Sequence, residues 1–153
     1  MSEPVSIETV RGMVGGEALV SDWKVIGQDR IDTFADVTED HQFIHVDPEA
    51  AAKTPFGATI AHGFLTLSML SALIPADFPQ IEGTAMGVNF GFDRVRFIEP
   101  VRSGSRIRSQ LKLLAFEERR EKQFQSRWDV TVEIEGNAKP ALKAEWLTLT
   151  FVQ

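Results

Sequence analysis

Between positions 61 and 74 the chain carries Phe64, Leu65, Leu67, Met69, Leu70, Leu73 and Ile74 on every side of a helical projection, with Thr66, Ser68 and Ser71 as polar interruptions. A helix that is apolar all round must be buried, so the rest of the chain has to wrap it. Pro75 and Pro79 end the run, and beyond them the hydrophobic period changes. In residues 105–115, Ile107, Leu111, Leu113 and Ala115 alternate with Arg106, Arg108, Gln110 and Lys112. In residues 123–135, Phe124, Ser126, Trp128, Val130, Val132 and Ile134 form a second alternating set. A period of two marks strands with one face in the core. Residues 88–98 and 142–152 read as two further strands. The later one carries Trp146, Leu147, Leu149 and Phe151 on both faces, so part of it is expected to meet the helix or another subunit. The charged stretch 117–122 and the pair Gly136-Asn137 supply the turns.

Upstream, residues 1–16 read as a short helix or arm closed by Gly15-Gly16, and residues 18–26 as one strand broken by Gly27. Asp29 begins a helix whose apolar positions Ile31, Phe34 and Ala35 form one stripe. Asp47-Pro48-Glu49 combines an N-cap, a proline at the first helical position and an acid near the positive end of the dipole, which predicts a short helix over 48–53. The expected fold class is α+β, with an antiparallel sheet curved around a central helix. At 153 residues and 43% hydrophobic content the chain suits a single domain, 1–153.

Composition removes several classes of function. With no cysteine there are no disulfides, thiolate metal sites or cysteine nucleophile. A net charge of −6 argues against a nucleic-acid surface. Neither a basic start followed by an apolar run nor a bilayer-length apolar segment is present, so no membrane partner is expected and the cytoplasm is the expected location.

All three histidines fall between positions 40 and 63. The segment opens Asp40-His41-Gln42-Phe43-Ile44-His45-Val46-Asp47 and closes Phe56-Gly57-Ala58-Thr59-Ile60-Ala61-His62-Gly63. Asp and His side chains together can hold and activate a water, and a glycine opening a helix can present a bare N–H to a developing oxyanion. Those are the parts of a hydratase.

In order and spacing these residues resemble the MaoC-like hydratases, the hydratase-2 group. In that family a Gly-Asp-x-Asn-Pro-x-His run carries the dyad, an Asp follows two residues later, and Phe-Gly-x-x-Ile-x-His-Gly leads into the helix. The matching positions here are Asp40, His45, Asp47, Phe56-Gly57 and Ile60-Ala61-His62-Gly63. Asn89-Phe90-Gly91, Val95-Arg96-Phe97, Pro100-Val101 and Gly104 resemble the second-half pattern. Glu39, Gln42 and Phe43 stand where the commoner pattern has Gly, Asn and Pro, and that combination is similar to a nodulation-protein-N-like branch of the family.

The resemblance implies a hot-dog fold and reversible hydration of a trans-2-enoyl thioester to an (R)-3-hydroxyacyl thioester, carried by coenzyme A or acyl carrier protein. It implies no cofactor, because the thioester carbonyl itself takes up charge as water adds at C3. Asp40 and His45 would hold the water, and Gly63 would supply the oxyanion N–H. An imidazole with an ordinary pKa of about 6.5 suits proton transfer near neutrality. Gln42, Phe43, Phe56, Gly57, His62 and Ser71 are the expected substrate-binding residues: Ser71 near the water site, Gly57 and Ala58 leaving room for the acyl chain, and Phe43, Phe56 and Leu67 lining its tunnel. The family also implies a homodimer joined edge to edge, or a larger assembly.

Other readings compete at single residues. His41 reads as an exposed loop histidine, and His62 equally as a structural residue that fixes the start of the helix by hydrogen bonding to the loop. No metal site is expected from His41, His45 and His62. Arg94, Arg96, Arg102, Arg106 and Arg108 are either a solvated strand edge or a source of phosphate ligands, with Arg96 also able to brace the dyad loop. The rival functions are a hot-dog acyl-CoA thioesterase and a noncatalytic acyl-thioester-binding subunit.

Overall fold

Along β5 (Gln123–Ile134) every second side chain, from Phe124 to Ile134, is buried, as the alternating sequence requires. In the computed structural model, which describes residues 2–153, β5 lies inside an antiparallel sheet with β1 (Leu19–Val20), β2 (Lys24–Ile26), β3 (Thr84–Phe97), β4 (Ser105–Arg120) and β6 (Leu142–Val152). The strand order is β1-β4-β5-β6-β3, and β2 also pairs with β4. Trp128 of β5 lies opposite Leu113 of β4 and Trp146 of β6, so its large ring sits mid-sheet. Against this face pack Leu65, Met69, Leu70 and Leu73, which share one core with Ile107, Leu111, Trp128, Val130, Val132 and Leu142. A sheet wrapped around one helical segment is the hot-dog arrangement, and the expected fold class is the observed one.

Several expected boundaries move. The central helix is shorter than 61–74: α5 spans Gly63–Ser68 and tightens into a 3-10 turn over Met69–Ser71. The Ser68 hydroxyl donates to the Phe64 carbonyl at 2.7 Å and so competes for that acceptor at the point where the helix tightens. Nor is the segment buried all round. Its outward row is Phe64, Ser68 and Ser71, and Phe64 is 70% exposed.

The strand expected over 18–26 is split, because the Ser21 hydroxyl accepts the Ser109 N–H at 2.9 Å where a strand carbonyl would otherwise bond. The alternation in β4 changes phase at a bulge between Leu113 and Ala115, so that Phe116 takes the inward position expected for Ala115. The β4–β5 hairpin tip is narrower than 117–122, since the strands run to Arg120 and resume at Gln123, with Lys122 at φ 61°. In β6, Trp146 belongs to the central cluster, whereas Leu147 and Leu149 are buried outside it.

The remaining helices carry the site. They are α1 (Ile7–Gly12), α2 (Gln28–Thr38), α3 (Phe43–Val46) and α4 (Pro48–Ala52). As expected, Ile31 and Ala35 of α2 are buried, and Asp47 caps α4 by accepting the Ala50 N–H at 3.0 Å.

Candidate active site

Helix α2 ends at Glu39, which adopts the left-handed conformation (φ 62°, ψ 21°) and turns the chain so that Asp40 begins the next loop. This is the position where the commoner motif has Gly, a residue for which that conformation costs nothing. Asp40 is exposed, and its Oδ1 accepts the Gln42 N–H at 3.3 Å within its own turn. The short helix α3 then carries His45 inward to 6% exposure. His45 Nδ1 lies 2.7 Å from the Ile60 carbonyl, and the Ile60 N–H donates to the Ile44 carbonyl at 3.0 Å. A carbonyl can only accept, so Nδ1 carries the hydrogen and Nε2 of the neutral ring offers a lone pair. Burial holds the His45 pKa below the ordinary 6.5. The Ile60 hydrogen bond opposes this, the His62 ring adds to it, and Asp40 opposes it least.

The second half of the chain supports the segment that holds His45. Ala61 N–H donates to the Val101 carbonyl at 2.7 Å and Ser103 N–H to the Thr59 carbonyl at 2.9 Å, with an antiparallel bridge between Ile60 and Arg102. Arg102 Nε donates to the Phe56 carbonyl at 2.7 Å. The arginine that braces this region is therefore Arg102 and not Arg96, which lies on β3 and bonds its neighbour's carbonyl. The rest of the basic group is dispersed. Arg106 and Arg108 pair with Glu135 and Glu133 beside Trp23.

A ring nitrogen of His45, one of His62 and a carboxylate oxygen of Asp40 lie within 4.8 Å of one another. A water at ordinary hydrogen-bond distance, about 2.8 Å, from each of two groups spans about 5 Å, which is the scale of this cluster. His62 sits behind them: it is 3% exposed, its ring is stacked on His45 at 3.9 Å, and its Nε2 is 3.0 Å from the Asp40 carbonyl. The bond to the loop is the one expected of a structural His62.

The same trio is a poor chelate. In-plane lone pairs of face-to-face rings do not converge on a metal about 2.0–2.1 Å from each nitrogen. His41 points away from it, exposed and 2.8 Å from Asp36 Oδ1.

Gly63 opens α5, where first-turn N–H groups have no partner within the helix. A Cβ there would lie 3.1–3.3 Å from the Phe97 ring, so the position tolerates no side chain without movement. Phe56 and Gly63 line a cleft of about 340 Å³ with Ile60, Thr66 and Phe97. Gly57 lies at φ 70° in the preceding turn, with open space where a Cβ would be. Gln42 is exposed just before α3, and Phe43 is 47% exposed at its start. Ser71 lies on a groove shared with Asn89 and Trp146.

Sequence reasoning missed Gln28. Its Nε2 donates to the His45 carbonyl at 2.7 Å and to Asp32 Oδ1 at 2.8 Å, while its Oε1 accepts the buried Thr59 hydroxyl at 2.5 Å. One side chain thus ties α2 to both segments that hold His45. No local pattern marks a glutamine for such a role.

A family profile for the MaoC like domain matches residues 10–134. The chain belongs to the MaoC-like family. Among MaoC-like relatives, Nodulation protein N of Rhizobium meliloti (strain 1021) is 49% identical over 146 residues, covering 95% of this chain and 91% of its own. The 3-hydroxyacyl-thioester dehydratase Z of Mycobacterium tuberculosis (strain CDC 1551 / Oshkosh) is 44% identical over 140 residues, covering 92% of each. The unliganded R-hydratase PhaJ1 from Pseudomonas aeruginosa superposes with a TM-score of 0.68 at 26% identity, over 92% of this chain and 83% of that one.

Proposed function

We propose that this MaoC-like protein catalyses reversible (R)-specific hydration of trans-2-enoyl thioesters of coenzyme A or acyl carrier protein to (R)-3-hydroxyacyl thioesters. The observation that carries the reading is the convergence of Asp40 with a buried His45 whose Nδ1–H is committed to Ile60, in a chain 44% identical to a 3-hydroxyacyl-thioester dehydratase. The reaction is carbon–oxygen lyase chemistry. Water held between the dyad members gives a proton to His45 Nε2 as its oxygen bonds to C3, and the Asp40 carboxylate steadies the imidazolium. The electron pair displaced from the double bond moves onto the thioester oxygen, facing the Gly63 N–H, and C2 then receives the proton from the dyad. The thioester stores the charge, so no cofactor is required.

The working unit is a homodimer. β3 is a 14-residue edge strand, exposed along most of its length, with Met86, Val88, Phe90 and Phe97 each at least 40% exposed, and a second copy pairing there removes that liability. A single species of one-chain mass in sedimentation would refute this. Among the described residues no helix is long and apolar enough to cross a membrane, and the proposed site of action is the cytoplasm.

The test follows the loss of enoyl-thioester absorbance with crotonyl-CoA and with medium- and long-chain trans-2-enoyl-CoA, with product stereochemistry resolved. Asp40→Asn and His45→Gln are each expected to lower kcat by about 10³-fold while leaving the fold intact. Release of free thiol without hydration would make the protein a thioesterase. Binding of acyl-CoA without turnover would make it a binding subunit.

A further inference from the structure

We propose that His62 is a positioning residue for the dyad, one imidazole that fixes the Asp40 backbone and the His45 ring relative to each other. The inference rests on the hydratase reading. Among the described residues the Asp40 carboxylate is held only by the Gln42 N–H of its own turn, so its tertiary anchor is the carbonyl, which His62 Nε2 approaches at 3.0 Å across 22 positions of sequence. Because that carbonyl accepts, Nε2 carries the hydrogen. The same ring lies against His45 at 3.9 Å and 24° from parallel, and Phe34 covers it from α2 at 4.9 Å.

His62 is nearly sealed from solvent at 3% exposure, and its Nδ1 has no partner among the described residues. It therefore acts through the dyad and not on the substrate. The His62 ring adds to the lowering of the His45 pKa, so the contact also favours the neutral His45 that can accept a proton. His62 and Asp40 are the titratable groups facing His45, and they act on it in opposite directions. Displacing a reacting group by about 1 Å costs on the order of a hundredfold in rate, which sets the scale for losing the clamp.

The experiment compares His62→Gln, which keeps a donor near the Nε2 position, with His62→Asn, which places one near Nδ1, and with His62→Phe, which keeps a ring but no donor. The expected result is that Phe and Asn lower kcat about a hundredfold with KM little changed, while Gln retains at least tenfold more activity than either. If the Phe variant does not fold, the Gln–Asn difference decides. Two NMR readouts are independent of turnover: the Asp40 carbonyl ¹³C shift should move in the Phe and Asn variants and be restored in Gln, and His45 should titrate at higher pH in all three. Wild-type kcat in His62→Phe, equal loss in Gln and Asn, or unchanged Asp40 and His45 resonances would overturn the proposal. A wild type that hydrates no thioester would end the hydratase reading, and the NMR comparison would still decide the clamp.

Discussion

Gly63→Ala separates the N–H of this residue from its lack of a side chain. Alanine keeps the N–H that would face the thioester oxygen, so a pure oxyanion role predicts little change. The structure predicts otherwise, because the new Cβ would lie 3.1, 3.2 and 3.3 Å from Cδ1, Cε1 and Cγ of Phe97. Ordinary carbon contacts begin near 3.5 Å, so the ring or the start of α5 must yield by a few tenths of an ångström. Overpacking typically costs about 1–3 kcal/mol, and the lower end applies here because Phe97 is 49% exposed and can turn outward. Its edge-on contact with Phe64 at 6.2 Å resists that turn.

We therefore expect Gly63→Ala to lose about 1 kcal/mol, roughly 2–4 °C in Tm, together with about tenfold or more in kcat as the first turn shifts. Phe97→Val removes the obstacle, so the double variant should recover most of both losses, with a coupling energy of about 1 kcal/mol in a thermodynamic cycle. Denaturant melts and initial hydration rates on all four proteins supply the cycle. Additive losses, or a kcat for Gly63→Ala equal to wild type, would refute the steric argument.

For hydration, kcat/KM should fall on acidification with an apparent pKa below 6.5, because the base must be neutral and burial lowers the His45 pKa; a pH–rate profile reads it. The same shift makes stability fall as pH drops from 6.5 through the folded-state pKa of His45, since the unfolded chain binds the proton more readily there; this pH-dependent loss should vanish in His45→Gln denaturant melts. Gln28→Ala orphans the Thr59 hydroxyl and frees the His45 carbonyl, and should cost about 2 kcal/mol in denaturant melts with a fall in kcat larger than any change in KM. Glu39→Gly relieves a left-handed non-glycine residue worth about 1–2 kcal/mol, partly offset by the freer unfolded chain, for a net gain of about 0.5–1 kcal/mol in the same melts.

The proposed pair of Asp40 and His45 could be picked out of the sequence because the two lie five positions apart, and the segment that holds His45, Ile60 to Gly63, follows closely. The strand faces were legible wherever the ladder is regular, as along β5, and failed where a side chain or an extra residue intervenes: Ser21 splitting the first strand, Leu114 shifting the phase of β4. Gln28 and Arg102 were not legible as supports, since each acts on a backbone carbonyl 17 and 46 positions away and any polar side chain at those sites looks alike in sequence.

The burial of the central helix was overstated for a different reason. Apolar residues all round imply burial by something, but the chain's own sheet covers only one side. Phe64 lies beside Phe97, the last residue of the exposed edge strand β3, so the uncovered face of α5 and the uncovered edge of the sheet adjoin. A partner seated along β3 would therefore reach the first turn of the helix, where Gly63 and Phe97 meet, and dimerisation and the geometry of the proposed oxyanion position become one structural question. A charge on that edge, Val88→Glu, should then weaken both self-association in sedimentation and kcat. A monomeric Val88→Glu with undiminished kcat would show that the site is complete within one chain.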